Sequence, residues 1–292
     1  MNKYVVMTDS TSDLPAEYLK EHNIDYAYML LNWEDQDGIH EIPASLAWDI
    51  LSEQEFYDIM RKGIRFRTSQ TTRENYETLF EKHLKQGEDV LYIACSSGLS
   101  ASINLAYQIA DEMKEKYPNN KVIVIDSLRA SMDLGLMVMD AVKRKDEGVS
   151  IEENARITME NRLNYIQIGT PDSLEYLKRA GRVTGSKAFF GQLFQIKPVL
   201  MFDDEGHNIA LEKAKGRKNS LKLIAEMAKD HVNDASKTTV YLLHAQCSDE
   251  DVSLLKKNLL EITGFKEAVV QPLGPIIGAS SGPGTINIYY RK

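Results

Sequence analysis

Two serines and a glycine that follow an apolar run are well suited to bind an anion. Val90–Ala94 predicts a buried strand, and Ser96, Ser97 and Gly98 come before an amphipathic helix that starts near Ser100. Hydroxyl and backbone N–H groups would meet at a helix N-terminus, where the helix dipole adds partial positive charge. Gly98 would let a ligand approach closely. The turn therefore predicts a carboxylate or phosphate site, with a serine-capped helix as the purely structural alternative.

Two further predicted strands, Tyr4–Met7 and 121–125, also end in hydroxyl or carboxylate side chains. Ligands of parallel sheets bind at the carboxyl ends of the strands, which share one edge. We therefore expect the rim of a ligand cleft to include Thr8, Asp9, Ser10, Asp126 and Gly98.

Three other segments carry candidate binding residues. Ser280 and Ser281 precede Gly282-Pro-Gly284, which makes a second cluster of hydroxyl and backbone donors, or only a turn. Lys178, Arg179 and Arg182 form a basic cluster, either solvated surface or a contact site. An apolar segment supplies either core or the wall of a long apolar pocket through Phe189, Phe190 and Phe194.

Strand and helix signals alternate along the first half of the chain, which predicts an α/β fold with a mostly parallel, doubly covered sheet. Gly148-Val-Ser150 interrupts this alternation. We therefore expect two α/β domains, residues 1–150 with the candidate anion-binding turns and residues 151–292 with a mixed sheet. A ligand cleft would lie between them.

The bulk composition excludes several classes of function. The net charge of −8 argues against nucleic acid, and no apolar stretch approaches the length of a membrane span. Cys95 and Cys247 fit buried thiols in a reducing cytoplasm better than a disulfide or a zinc site. Walker and Gly-x-Gly-x-x-Gly motifs are absent, so we expect no metal and no cofactor.

Six ordered segments together resemble the DegV family of bacterial fatty-acid-binding proteins. They are Val6–Pro15, Thr68–Gln70, Ser96–Ser100, Val124–Ser127, Leu177–Arg182 and Gly274–Thr285. The resemblance implies a protein without chemistry of its own that holds a fatty acid between two α/β domains. The expected ligand is about C16–C18 long, with about 0.8 kcal/mol gained per buried methylene. In family members of the fatty-acid-kinase type, a separate kinase subunit phosphorylates the bound carboxylate for phospholipid synthesis.

Carried over by position, the resemblance implies carboxylate contacts from Thr68 and Ser97, with Ser96 beside them. It also implies that Arg179 and Arg182 face the kinase subunit. The family pattern before Gly-Pro-Gly usually has a histidine where this chain has Ser280. A serine donates a hydrogen bond but does not carry a proton near neutral pH, which affects the kinase role more than lipid binding.

Two alternatives remain open on the sequence alone. One is an enzyme or phosphocarrier related to the dihydroxyacetone kinase fold that acts on a small polar ligand. The other is a regulatory, lipid-sensing or interaction module. An apolar cavity would favour the lipid-binding protein over the first, and a filled core without a ligand would favour an interaction module.

Overall fold

Strands and helices alternate through most of the chain in this computed structural model, which describes residues 3–184 and 196–292. The strands are β1 (Tyr4–Asp9), β2 (Tyr26–Ala27), β3 (Leu30–Asp35), β4 (Gly38–Pro43), β5 (Arg67–Ser69), β6 (Asp89–Ala94), β7 (Val122–Asp126), β8 (Tyr165–Thr170), β9 (Ile196–Phe202), β10 (Asn208–Lys215), β11 (Thr239–His244), β12 (Glu267–Pro272) and β13 (Ile286–Arg291). The α-helices are α1 (Ala16–Glu21), α2 (Glu53–Arg61), α3 (Arg73–Leu84), α4 (Ser102–Lys116), α5 (Met132–Asp146), α6 (Ile151–Asn161), α7 (Glu175–Ala180), α8 (Arg217–His231), α9 (Asp249–Asn258) and α10 (Pro275–Ser281).

The first sheet has the order β2–β1–β6–β7, and all of its strands are parallel. Every residue of β6 is buried, because helices cover both faces of the sheet. Leu91 and Ile93 pack into the core that contains α5, whereas Val90 and Tyr92 pack into the core that contains α3 and α4. The predicted parallel, doubly covered sheet is confirmed.

A second, three-stranded antiparallel sheet has the order β4–β3–β5. The apolar run Ile24–Leu31, whose pattern alone predicts a single strand, does not form one continuous strand. The chain instead divides there into the short β2, which joins the parallel sheet, and β3, which starts the antiparallel one. This small sheet matters because β5 carries Thr68.

The third sheet has six strands in the order β10–β9–β8–β13–β11–β12, with β11 and β12 parallel and the other pairs antiparallel. Helices α8 and α9 pack on one face, around Ile168, Leu242 and Ile288. Helix α5 packs against β8 and β13 of this sheet and also against β1 and β6 of the first sheet. One helix therefore joins the two large sheets.

The expected domain boundary at residue 150 falls between α5 and α6. Helix α6 nevertheless packs against β6 and β7 of the parallel sheet, and Tyr289 from the last strand shares a core with Val6 and Leu91. The two halves of the chain thus share buried surface, and the strands of the six-stranded sheet all begin at or after Tyr165.

Two other features bear on the candidate site. The Gly/Pro-rich segment 274–285 contains helix α10, which tolerates Pro275 because the first helical position needs no N–H donor. The expected aromatic wall of Phe189, Phe190 and Phe194 lies outside the described residues.

No helix in the described ranges is both long and apolar enough to cross a membrane.

Candidate functional site: a cavity between the sheets

The turn after β6 does not leave both of its serine hydroxyls free for a ligand. The Ser96 hydroxyl is fully buried and donates to the carbonyl of Gly206, 2.8 Å away in the turn between β9 and β10. A Cβ on Gly98 would lie 2.9 Å from backbone atoms of Gly206. Gly98 therefore lets a neighbouring backbone turn approach, in the place where the sequence suggested a ligand.

Ser97 lies beside this contact but is exposed and does not line the cavity described below. Its backbone N–H donates to Asp126 Oδ1 at 3.2 Å, and Asp126 also accepts from the N–H of Leu128. The predicted carboxylate contacts from Ser96 and Ser97 thus stay predictions that lack support from the position of these side chains.

The other predicted rim residues support the backbone of the strand ends. Asp9 accepts from the N–H of Cys95 at 2.7 Å and from the N–H of Thr11 at 2.9 Å. Thr8 donates to the carbonyl of Ile93, and Ser10 accepts from the N–H of Met29. Burial raises the pKa of Asp9, and its hydrogen bonds partly oppose that rise. These groups shape the edge of the sheet without lining the cavity.

A cavity of about 860 Å³, which includes its open mouth, lies where the three sheets meet. The residues after the strands of the parallel sheet contribute Thr11, Cys95, Ala130 and Ser131, and β5 contributes Thr68 and Ser69. Helix α10 and the six-stranded sheet supply the remaining walls through Ile276, Ile277, Ser280, Ser281, Leu200, Phe202, Gln167, Asn208, Asn287 and Tyr289. The predicted Thr68, Ser280 and Ser281 are therefore brought together, although they come from opposite ends of the chain.

Two half-buried hydroxyl residues, Thr68 and Ser280, line the part of the cavity that we call its mouth. Within the described part of the chain, the side chains of Thr68 and Ser280 make no hydrogen bond, whereas Ser281 donates to the carbonyl of Ile277 at 2.7 Å. Neutral donors of this kind bind a carboxylate without burying an unpaired cation. Thr68 and Ser280 are the two predicted residues best placed for that task.

A second pocket, which we call the arginine pocket, adjoins the mouth. It is lined by Arg65, Arg67, Arg179 and Arg182 around Phe66 and Tyr176, and it shares Thr68, Arg182 and Ser280 with the cavity. Arg182 donates to the carbonyl of Leu99 at 3.1 Å, and Arg179 pairs with Glu175 at 2.8 Å. Arg65 and Arg67 extend the predicted basic cluster, although sequence alone offered no reason to join them to residues more than a hundred positions away.

The lining of the cavity offers hydroxyl, amide and apolar groups together with the Arg182 guanidinium, and its described residues include no histidine. Burial raises the pKa of the Cys95 thiol, so this thiol is a poor source of thiolate. The described residues contain no cluster of three or more side chains that could hold a metal ion.

The structure is that of an α/β protein with a cavity where its three sheets meet. The family model described as "Uncharacterised protein, DegV family" matches residues 3–292, so the chain belongs to the DegV family. A DegV domain-containing protein of Clostridium perfringens, CPE0026, is 34% identical over 292 residues, which cover 99% of this chain and 98% of the relative.

Solved structures of the family share the fold over the whole chain. A fatty-acid-binding DegV family protein from Thermus thermophilus has a TM-score of 0.87 at 27% identity and 99% coverage of both chains. A DegV lipid-binding protein from Thermotoga maritima has a TM-score of 0.83 at 25% identity, with 99% of this chain and 98% of that chain covered. The α/β class predicted from sequence is thus confirmed.

Proposed function

We propose that this protein binds a long-chain fatty acid in the cavity and presents the carboxylate at its mouth to a separate fatty acid kinase subunit. The observation that carries the proposal is the pair of hydroxyls of Thr68 and Ser280, which line the cavity and have no hydrogen-bond partner among the described residues. The interaction module with a filled core is disfavoured by the same cavity.

The charge around the mouth supports an anionic headgroup. The chain as a whole carries −8, yet four arginines line the arginine pocket, which shares Thr68, Arg182 and Ser280 with the cavity. These arginines favour a carboxylate there over a neutral lipid headgroup. We place the protein in the cytoplasm, where Cys95 and Cys247 would stay reduced.

Removal of the mouth hydroxyls tests the fatty-acid site. The double variant Thr68→Ala/Ser280→Ala should bind palmitic acid at least about tenfold more weakly, because the carboxylate loses two hydrogen bonds. Isothermal titration of delipidated protein measures this change. Ser97→Ala is the matched control, since its hydroxyl is exposed outside the cavity.

Unchanged palmitate affinity in the double variant would refute the headgroup assignment. If Ser97→Ala lost as much affinity as the double variant, the carboxylate site would instead be assigned to the turn after β6.

Charge reversal in the arginine pocket tests presentation to the kinase. Arg179→Glu should reduce acyl-phosphate formation by a fatty acid kinase subunit at least about tenfold while palmitate stays bound, because a docking cation has been reversed. Mass spectrometry of the acyl phosphate provides the readout. Lys178→Glu is the control, since Lys178 is exposed on the same helix and does not line the pocket. Equal turnover by both variants contradicts the docking role.

A further inference from the structure

The six-stranded sheet forms one wall of the cavity, which we call its floor, and a polar strip crosses this wall. Asn208 is paired with Phe202, and Gln167 is paired with Tyr289. The pairing of Ile168 with Met201 puts Phe202 level with Gln167. Residues directly opposite each other in antiparallel strands point to the same face. Two carboxamides therefore flank Phe202 in one row of the floor.

The side-chain oxygens of these two carboxamides accept no hydrogen bond from the described residues. Gln167 is 4% exposed, and neither its Oε1 nor the buried Oδ1 of Asn208 has a hydrogen-bond partner within the described ranges. Buried polar groups are normally paired, so an orphaned acceptor that lines a cavity points to a partner supplied by the ligand. Neither residue lines the arginine pocket, so they do not belong to the carboxylate end.

A neighbouring amide in the same cavity, that of Asn287, is satisfied by the protein itself. Asn287 donates to the Tyr289 hydroxyl at 3.0 Å. Its side chain lies against Gly169, where a Cβ would come within 1.8 Å of Asn287 Oδ1. Asn287 thus has both a hydrogen-bond partner and a space left by Gly169, whereas the Gln167 and Asn208 oxygens have no partner among the described residues.

We propose that the ligand class of this cavity is a hydroxylated long-chain fatty acid, whose chain hydroxyl donates a hydrogen bond to Gln167 Oε1 or Asn208 Oδ1. This inference rests on the proposed function and adds a hydroxyl group on the acyl chain of the ligand. A plain alkyl chain would strip water from both oxygens and return no donor, whereas an O–H group restores the lost hydrogen bond. Sites built to bind a hydroxyl discriminate strongly against the analogue that lacks it.

The spacing of the row limits how many amides one hydroxyl reaches. Gln167 and Asn208 lie two strands apart in the sheet, which is about 9–10 Å at the usual strand spacing. A single hydroxyl therefore contacts one of the two amides, and the position of that hydroxyl along the acyl chain decides which amide it contacts. The test must accordingly include positional isomers.

The experiment compares 10-hydroxystearic, 12-hydroxystearic and stearic acid as competitors for a fluorescent fatty acid on the delipidated full-length protein. At least one hydroxy acid should bind about tenfold or more tightly than stearic acid. In the variant Gln167→Leu/Asn208→Leu this preference should disappear, and stearic acid should bind at least as well as before. Leu200→Ala, an apolar substitution on the same floor, should weaken all three acids and leave their ratio unchanged.

Wild-type protein that binds all three acids equally, or prefers stearic acid, overturns the inference while the proposed function stands. A preference for a hydroxy acid that survives in the Gln167→Leu/Asn208→Leu variant also overturns it, because the floor amides would not be its cause. Failure of every acid to bind refutes the proposed function, and the inference with it.

Discussion

Asp13 is a buried carboxyl whose ionisation affects folding. It is 6% exposed, and its Oδ2 accepts from the Ser131 hydroxyl at 2.5 Å. Its Oδ1 lies against Gly274, where a Cβ would come within 2.0 Å. Burial is the largest cause that raises the pKa of Asp13 to about 7, and the Ser131 hydrogen bond opposes the rise. The residue thus joins the start of α10 to the residues just before α5.

This raised pKa predicts a pH-dependent stability. A carboxyl with a higher pKa in the folded state binds its proton more tightly when folded, so the stability it contributes falls as pH rises from about 4 to about 7. The loss from Asp13 is about 4 kcal/mol at most. Asp13→Asn keeps a neutral polar group and tolerates the positive φ of 51°. Urea unfolding from pH 4 to 8 should show a flatter profile for the variant.

Asp9 and Asp133 are also buried carboxyls, and burial raises the pKa of each. Both carboxyls are present in the wild type and in the Asp13→Asn variant, so their contributions cancel when the two pH profiles are compared. Parallel profiles for the wild type and Asp13→Asn would contradict the assigned pKa of Asp13.

At the scale of single residues, the sequence predicted some side chains of the site and not others. Thr68 and Ser280 were found from motifs and do line the cavity mouth. Ser96 was also found, yet its hydroxyl bonds Gly206, 110 positions later, and no local pattern announces such a partner. Gln167 and Asn287 were missed, although each is a single polar residue between two isoleucines of an otherwise buried strand. That interruption was the available signal.

At the scale of elements, the turn after β6 and the β9–β10 turn form one contact between the two halves. Ser96→Ala leaves the buried Gly206 carbonyl without its donor, so the free energy of unfolding should fall by about 1–2 kcal/mol. Ser97→Ala makes the same chemical change at an exposed position and should alter stability by less than about 0.5 kcal/mol. Chemical denaturation of both variants checks this. Equal losses would mean that the Ser96 contact does not stabilise the fold.

Local patterns predicted several elements well. Phe56 and Met60 have the apolar spacing of one helix face, which indicates α2, and Ser150, whose hydroxyl accepts from the N–H of Glu153, is a cap that indicates the start of α6. The turn residues Asp203–Gly206 likewise indicate the hairpin of β9 and β10. The small β4–β3–β5 sheet was not, because its pairing depends on β5, which is three residues long and carries little pattern of its own.

At the scale of the whole molecule, helix α5 and the shared core place the mouth of the cavity among parts of the chain that are far apart in sequence. Thr68 and Ser280 are 212 positions apart, and both border the arginine pocket as well as the cavity. Sequence motifs indicated which residue types matter. Only the packing of the three sheets shows that these two residues, and not Ser97, line the cavity.

The central claim is that the cavity holds a fatty acid, and native mass spectrometry of freshly purified protein tests it most directly. We predict an added mass equal to one long-chain fatty acid, with or without a hydroxyl group, which denaturation releases. Protein of the bare polypeptide mass that also takes up no fatty acid after delipidation would contradict the claim.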